Sequence, residues 1–518
     1  MRYFRRIVPF VLLTLTALAF AGCGGGGGGG AAPAATQTDT YRFFAGSLHA
    51  VDPANPANPL VVDSEAHADE ATIVHGTIDA AAKTVTDLHA RTVVYVKGGK
   101  LYKVSALKGA TPAPVQLSSA ADVQSIETVA PDLANHNNAQ VVFRAVAVAP
   151  TPTPTPVPVE PVAIKQASLA AGDASGTSYK MVRVGMSATD TPIPAKEPLS
   201  ALNDQTGAII GWLAFEDNAN VIKRYDANFQ NGKDVIPYKN SVAFVDSTLE
   251  GIFMEVDGDL YGYHVATGEL RRLTSTATGI YGNTVKDGDH LYVTDGGYNI
   301  LKVPLGNPTS AETFVPTDGA WAMPFGFTDT KVVYYQGGKM LAKPKVGGEP
   351  VILSPAGWGF VGAKGTVVYF NSSKEGIPTA VAVRDDGTVL SETANAYWVG
   401  ASVSNTYAPA VSSTPQYMVM ATGYKTDGTG FGGGALQSFD AATNRLVATL
   451  GTIPADVRWI EVYGQIGVDV LGYAWDNNDD DVFFMNLKTP NSLVRMSNTP
   501  EVDEWPLPVL DYDWWRWS

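Results

Sequence analysis

The chain has 518 residues, 45% hydrophobic, 17% charged and 10% aromatic, which is the composition of a folded protein with room for several domains or one large repeat array. Fifty-one acidic residues against 36 basic ones give a net charge of −15, which argues against a nucleic-acid partner, since phosphate binding needs clustered Lys and Arg. A single cysteine excludes a disulfide framework and any cysteine-based zinc or iron–sulfur centre.

Residues 1–23 read as an export signal. Arg2, Arg5 and Arg6 form a basic start, and Ile7 to Ala21 form an apolar core. That core is shorter than the roughly 20 residues a membrane-spanning helix needs. Phe20-Ala21-Gly22-Cys23 resembles the lipobox of bacterial lipoproteins, with small residues before a cysteine that is acylated and becomes the first residue of the mature chain. The resemblance implies removal of residues 1–22, lipidation of Cys23 and, with Gly24 following, anchoring in the outer membrane. Two or more acyl chains hold a protein stably where one does not. Gly24–Gly30 and the Ala- and Thr-rich residues up to 40 form a flexible tether with a reach of about 20–25 Å. Without the three signal arginines, 33 basic residues face 51 acidic ones, so lipid rather than charge holds the body at the bilayer.

A unit then recurs through residues 41–499: an apolar, aromatic-rich run, a Gly-containing turn, a second run, and a polar stretch. Clear copies are VVYVKGGKLYKV (93–104), GIFMEVDGDLYGYHVATGELRRLTS (251–275), HLYVTDGGYNILKV (290–303), KVVYYQGGKMLAKP (331–344) and VVYFNSSKEGIPTAVAV (367–383). Weaker ones are VVFRAVAV (141–148), GWLAFEDNANVIKRY (211–225), YMVMATGY with ALQSFDAATNRLVATL (417–450) and YAWDNNDDDVFFMNL (473–487). Gly98-Gly99, Asp257-Gly258, Asp295-Gly296 and Gly337-Gly338 suit the positive φ of two-residue hairpin turns. Phe253, Tyr292, Tyr334 and Tyr369 are spaced 39, 42 and 35 residues apart, about one four-stranded blade each, and Tyr95 lies 158 residues before Phe253, close to four such units. The expectation is an all-β chain, a β-propeller of seven or eight four-stranded blades. Each blade is apolar on both faces and stacks on its neighbours. The Pro-rich APTPTPTPVPVEP (149–161) is stiff; between VVFRAVAV and PVAIKQ it reads as a loop projecting from one hairpin. A pair of sandwiches divided at that stretch is the rival architecture.

GYHVATGELRRLTS resembles blades of the Tol-system periplasmic propeller, and FDAATNRLVATL (439–450) resembles blades of quinoprotein-type propellers, including the lipoprotein of the outer-membrane β-barrel assembly machinery. The quinoprotein pattern places Trp after the Thr-Gly turn. Here Gly268-Glu269-Leu270-Arg271 and Asn444-Arg445-Leu446-Val447 lack it, so the resemblance implies the fold without the quinone.

No nucleophile elbow, zinc-protease helix or phosphate loop occurs in the sequence. Gly428, Gly430 and Gly433 match a dinucleotide pattern but have no helix after them, and read as a loop. Asp63, Glu65, His67, Asp69, Glu70 and His75 could hold a transition metal, although their spacing fits no ligand set and a solvated loop is the simpler reading. Asp476, Asn478 and Asp480 alternate as in an oxygen-rich calcium loop, with Asp481 at the usual glycine; an acidic hairpin turn is the alternative. Calcium is the one cofactor the sequence offers.

Residues 500–518 form an aromatic tail, with Trp505, Tyr512, Trp514, Trp515 and Trp517. Trp514, Trp515 and Trp517 could bind a partner or a sugar; alternatively the tail closes or plugs the ring. These features define a lipid-anchored envelope scaffold that binds a protein or glycan and is not an enzyme. A surface-exposed polysaccharide hydrolase or lyase built on the same ring is the alternative.

Overall fold

The computed structural model describes residues 41–506, except 46, 53, 65–70, 75–77, 80–83, 86–91, 106–113, 131, 133, 147–176, 187–189, 194–196, 217–219, 248–250, 276–278, 288, 306–310, 318, 404–414, 426, 428, 467, 476–479 and 498–503. Cys23 and the aromatic residues 512–517 lie outside the described residues. The described chain is all-β. Its one short 3-10 turn is His136–Asn138, and no described helix is long and apolar enough to cross a membrane.

Ten four-stranded antiparallel units follow one another among the described residues. Unit 1 contains Tyr41–Ala45, Leu48–Val51 and Leu60–Asp63 as its second to fourth strands; its first strand is Glu504–Pro506. Unit 2 starts at Ala71–Val74 and continues with Thr92–Lys97, Lys100–Ser105 and Val115–Gln116, with a small hairpin (Ile78–Asp79, Thr84–Val85) inserted after its first strand. The first strands of units 3 to 10 are Val123–Ala130, Glu197–Asn203, Val242–Ser247, Ile280–Lys286, Ala322–Phe327, Gly357–Lys364, Ala396–Val403 and Trp459–Ile466. First strands lie side by side in units 2 and 3, in units 4 and 5, and from unit 6 through unit 10. In units 9 and 10 they pair directly and in parallel, Gly400 with Val462, which makes them the inner strands.

Alternation explains why the strands read as continuous apolar runs. In unit 8, Val368 and Phe370 pack toward unit 7, while Val367 and Tyr369 pack toward unit 9. Each consecutive pair from units 2–3 to units 9–10 shares such a cluster. The anchoring aromatics Tyr95, Phe253, Tyr292, Tyr334 and Tyr369 all lie in second strands and are buried; each contributes about 1.5–3 kcal/mol by leaving water. Polar latches fix the seams. The Trp212 indole N–H donates to Gln140 Oε1 (2.8 Å), and Gln140 in turn donates to the Ala227 carbonyl, joining units 3 and 4. The Thr328 hydroxyl donates to Asp385 (2.7 Å) between units 7 and 8, and the Tyr369 hydroxyl to the Ala441 carbonyl between units 8 and 9. Between units 1 and 2 the Tyr95 hydroxyl and the Lys97 ammonium both donate to buried Asp63, at 2.7 and 3.1 Å. Burial, then that hydrogen bond, pushes the Tyr95 phenol well above its ordinary pKa. The series closes on itself because Glu504–Pro506 pairs with Tyr41–Ala45 and packs against Asp469–Trp475 and Asp480–Asn486 of unit 10.

Ten units exceed the seven or eight expected. Eight of the nine repeats read from the sequence fall on the second and third strands of units 2 and 4 to 10, and VVFRAVAV falls on the second strand of unit 3. The tenth, YRFFAGSLHAV, has no paired-glycine turn, and its inner strand comes from residues 504–506. Tyr95 and Phe253 are three units apart rather than four, because unit 3 holds an insertion. Its strands Gln140–Val146 and Thr177–Arg183 pair from Val146↔Thr177 onward, so the Pro-rich residues lie within a segment joining two neighbouring strands of one sheet. The partner strand is Thr177–Arg183 instead of PVAIKQ. The turn at Asp257-Gly258 has the expected positive φ, 51° and 88°. Asp295-Gly296 does not turn that way: the Asp295 carboxylate accepts from the N–H groups of Gly297 and Asn299, and Tyr298 takes the positive φ of 67°.

Strand direction gives the assembly two distinct faces. Connections between first and second strands, and between third and fourth, lie on one face. Those between second and third strands, and between units, lie on the other. Pro506 pairs with Phe43 and Glu504 with Ala45, so the described chain enters at Tyr41 and leaves at Pro506 on the first face. We call this the entry face and the opposite one the far face.

Candidate interaction face

The far face gathers residues that sequence reading kept apart. Six rings cluster where units 9 and 10 meet: Tyr397 and Trp459 begin inner strands, Tyr473 and Trp475 end a second strand, and Tyr424 and Phe431 flank a glycine-rich loop. Ring centroids are 5.0 Å apart for Tyr397–Trp459, 5.1 Å for Tyr424–Phe431, 5.2 Å for Phe431–Trp459 and 5.8 Å for Trp459–Trp475. Tyr397 and Phe431 are buried, whereas Tyr424, Trp459, Tyr473 and Trp475 keep part of their surface in solvent. The Trp459 indole N–H donates to Glu461 at 2.5 Å. Burial, then the neighbouring Tyr424, raises the Tyr397 phenol above its ordinary pKa. Exposed Lys425, Asp427, Asp456 and Arg458 surround the rings. Aromatic surface with a charged rim is the chemistry of a partner-binding patch. No single sequence window shows it, because the rings are spread over residues 397–475.

The glycine-rich loop holds this patch together and does not form a phosphate cradle. A Cβ on Gly430 would stand 2.2 Å from the Arg458 carbonyl oxygen, and one on Gly432 would stand 2.2 Å from that of Ala455. The N–H groups of Phe431, Gly433 and Gly434 donate to the carbonyls of Arg458, Ile453 and Phe431, so they are already engaged. The glycines permit close backbone approach between units 9 and 10. Gly430 also has φ 92°. Gly430→Ala is therefore expected to destabilise this seam by about 2–3 kcal/mol. Limited proteolysis should show cleavage within 423–434 that the parent resists; an unchanged digest would contradict this packing.

The other sequence candidates are placed as follows. Asp476 and Asn478 lie outside the described residues, and Asp480 begins the third strand of unit 10. Asp481, next in line, is fully buried; the Arg495 Nε donates to it at 2.9 Å while Arg495 Nη1 reaches Asp456 at 2.6 Å. Asp481 is thus committed to the protein itself. Asp63 belongs to the unit 1–2 latch; Glu65, His67, Asp69, Glu70 and His75 lie outside the described residues. Among the described residues no group of three His, Cys, Asp or Glu is placed to hold a metal ion. His264, in unit 5, accepts from the Thr267 N–H at a turn, and His290, in unit 6, lies 3.5 Å from Asp287 of the same unit. Gly428 is outside the described residues, as are Trp514, Trp515 and Trp517.

No family model matches the chain, and no curated protein matches it. Among solved structures it is similar to BamB from Moraxella catarrhalis, with 11% identity over 59% of this chain and 88% of that one, TM-score 0.32. A structure described as the eukaryotic initiation factor matches with 10% identity over 92% of this chain and all of that one, TM-score 0.43. PorZ of Porphyromonas gingivalis, a surface component of the type-IX secretion system, matches with 11% identity over 83% of this chain and 53% of that one, TM-score 0.26. At such scores the architecture is read from the chain's own sheets.

Proposed function

We propose that this chain is a lipid-anchored envelope scaffold: a single ring of ten β-propeller blades that presents its far face to a protein partner. One observation carries the reading. The chain enters at Tyr41 and leaves at Pro506 on the same face, so a tether from Cys23 turns that face toward the membrane. The far face is then directed away from the bilayer. It carries the aromatic rim and the glycine-rich loop, and the strands Gln140–Val146 and Thr177–Arg183 meet at that face. Long loops on a rigid ring suit recognition, and the half-exposed indoles supply the anchor chemistry common at protein interfaces. Outer-membrane anchoring through lipidated Cys23 follows from the lipobox resemblance.

Photocrosslinking in cells tests this. A photoreactive residue at exposed Lys425 or Arg458 is expected to trap a discrete envelope protein, and the same probe at fully exposed Val346, on the entry face, is expected not to. Equal trapping from both faces, or none from Lys425 and Arg458, would remove the scaffold reading. Retention of the protein on a polysaccharide, or its cleavage, would favour the hydrolase or lyase instead.

A further inference from the structure

Two features of the far face lie on separate parts of the ring and match in chemistry. The first is the aromatic patch where units 9 and 10 meet. Trp459 and Trp475 stand 5.8 Å apart with their planes 32° from parallel, Tyr473 stands 5.8 Å from Trp475, and all three keep part of their surface in solvent. Among the described residues neither the Trp475 indole N–H nor the Tyr424 hydroxyl has a hydrogen-bond partner, and neither is shut off from solvent. At the border Asp456 is bonded to Arg495 and Asp427 to Thr429, so exposed Lys425 and Arg458 set the sign of the charge left open. Flat apolar rings, two donors and positive charge therefore meet at one place. The second feature belongs to unit 3. Its strands Gln140–Val146 and Thr177–Arg183 end at Val146↔Thr177 on the same face. Only Ala147 and Val148 separate Val146 from APTPTPTPVPVEP (149–161), which holds six prolines and a single charge, Glu160.

We propose that the aromatic patch is a polyproline-binding surface and that its occupant is the Pro-rich segment 149–161 of a second copy of this chain. The inference rests on the reading of the far face as protein-binding, and it names the partner. Alternating prolines favour the polyproline II helix, which loses little entropy on binding and leaves its carbonyls without internal hydrogen bonds. Aromatic-lined surfaces recognise that helix by packing rings against proline. Here the Trp475 N–H and the Tyr424 O–H supply donors for its carbonyls, and Glu160 is opposite in sign to Lys425 and Arg458. The lengths agree. Thirteen residues at 3.1 Å each extend about 40 Å, and the chain from 162 to 176 can span about 50 Å on its way back to Thr177. The segment can therefore project at full length. Within one copy, units 1 and 2 stand between the patch and unit 3, and a stiff segment that begins so close to Val146 has little chain with which to turn back over them. Copies anchored by their entry faces direct their far faces the same way, so the segment of one meets the patch of its neighbour. One segment and one patch per copy make a head-to-tail contact, which extends into rows or closes into a larger ring.

The test uses the full lipidated chain in phosphatidylcholine vesicles, as an equal mixture of copies grown on ordinary and on heavy nitrogen, with a photoreactive residue at Lys425. Illumination is expected to join that position to residues 149–161 in peptide pairs that carry both labels. Pairs with one label only would place the segment on its own ring and overturn the proposal, as would the absence of any pair with 149–161. The variant Pro152→Ala/Pro154→Ala/Pro156→Ala/Pro158→Ala, outside every described strand, is expected to lose the mixed pairs and to melt as the parent does. Mixed pairs undiminished in that variant would show that proline is not what the patch recognises. A synthetic peptide of sequence 149–161, added in excess to the parent, is expected to suppress the mixed pairs with no change to the protein; failure to compete overturns the proposal by itself. The probes in cells at Lys425 and Arg458 report on the scaffold reading separately. Capture of another envelope protein without any pair to 149–161 refutes this contact and leaves the scaffold intact, and no capture of any kind refutes both.

Discussion

A chain ending at residue 503 is expected to lose its sharp melting transition and to associate, whereas a chain ending at Pro506 should melt as the full chain does. The three residues Glu504–Pro506 supply the inner strand of unit 1 and pack against unit 10. Losing the ladder to Phe43, Phe44 and Ala45 removes about 1 kcal/mol per hydrogen bond. The larger effect is topological. Tyr41–Ala45 becomes an open edge in a ring that has no other mate for it, and such edges pair with other chains. Calorimetry and light scattering on the two truncations check this. Identical melts for both would mean that the seam at Glu504–Pro506 does not hold the ring closed.

Lys286→Met is expected to be the most damaging single substitution at an inner strand. Lys286 Nζ lies 3.4 Å from Asp246 and donates to the Ser247 carbonyl at 3.1 Å, and both charged side chains are 2% exposed. Removing the ammonium leaves a buried carboxylate without its counter-charge, held by the Ser247 N–H, at a loss of about 3–5 kcal/mol seen as a fall in the denaturation midpoint. Burial already pushes the Asp246 carboxyl above its ordinary pKa, against the pull of Lys286. A carboxyl raised in the folded state takes up its proton there first, so folding weakens as pH rises from the unfolded pKa through the folded one. The deficit of Lys286→Met should therefore shrink toward acid. The double variant Asp246→Leu/Lys286→Met, with no charge left to bury, should recover most of the loss. A double variant as unstable as the single would point to packing rather than charge.

The second and third strands were legible because each places a buried ring, such as Tyr292 or Tyr334, beside a turn, a signal contained in about 14 residues. Inner and outer strands were not. Gly357–Lys364 and Val389–Ala394 carry bulges or exposed residues that blur the period-2 pattern. The unit formed from both chain ends has no local signature at all. At the far face, the glycine at 430 was visible, but what it and Gly432 approach, Arg458 and Ala455, lies on the segment leading into the next unit. Asp481 likewise looked like part of an ion-binding run until Arg495, fourteen residues on, proved to be its partner.

Ring closure between residues 43 and 506 also orders the events of biogenesis. Units 2 to 10 are built mainly from neighbouring segments and can form one after another as the chain emerges, whereas unit 1 waits for a strand from the other end. Until residues 504–506 arrive, the first hairpin carries a bare inner edge and unit 10 lacks a neighbour on one side. A lipid attached at Cys23 would tie that unfinished hairpin to the membrane before the ring is complete. During that interval the unpaired edges are open to pairing with other chains.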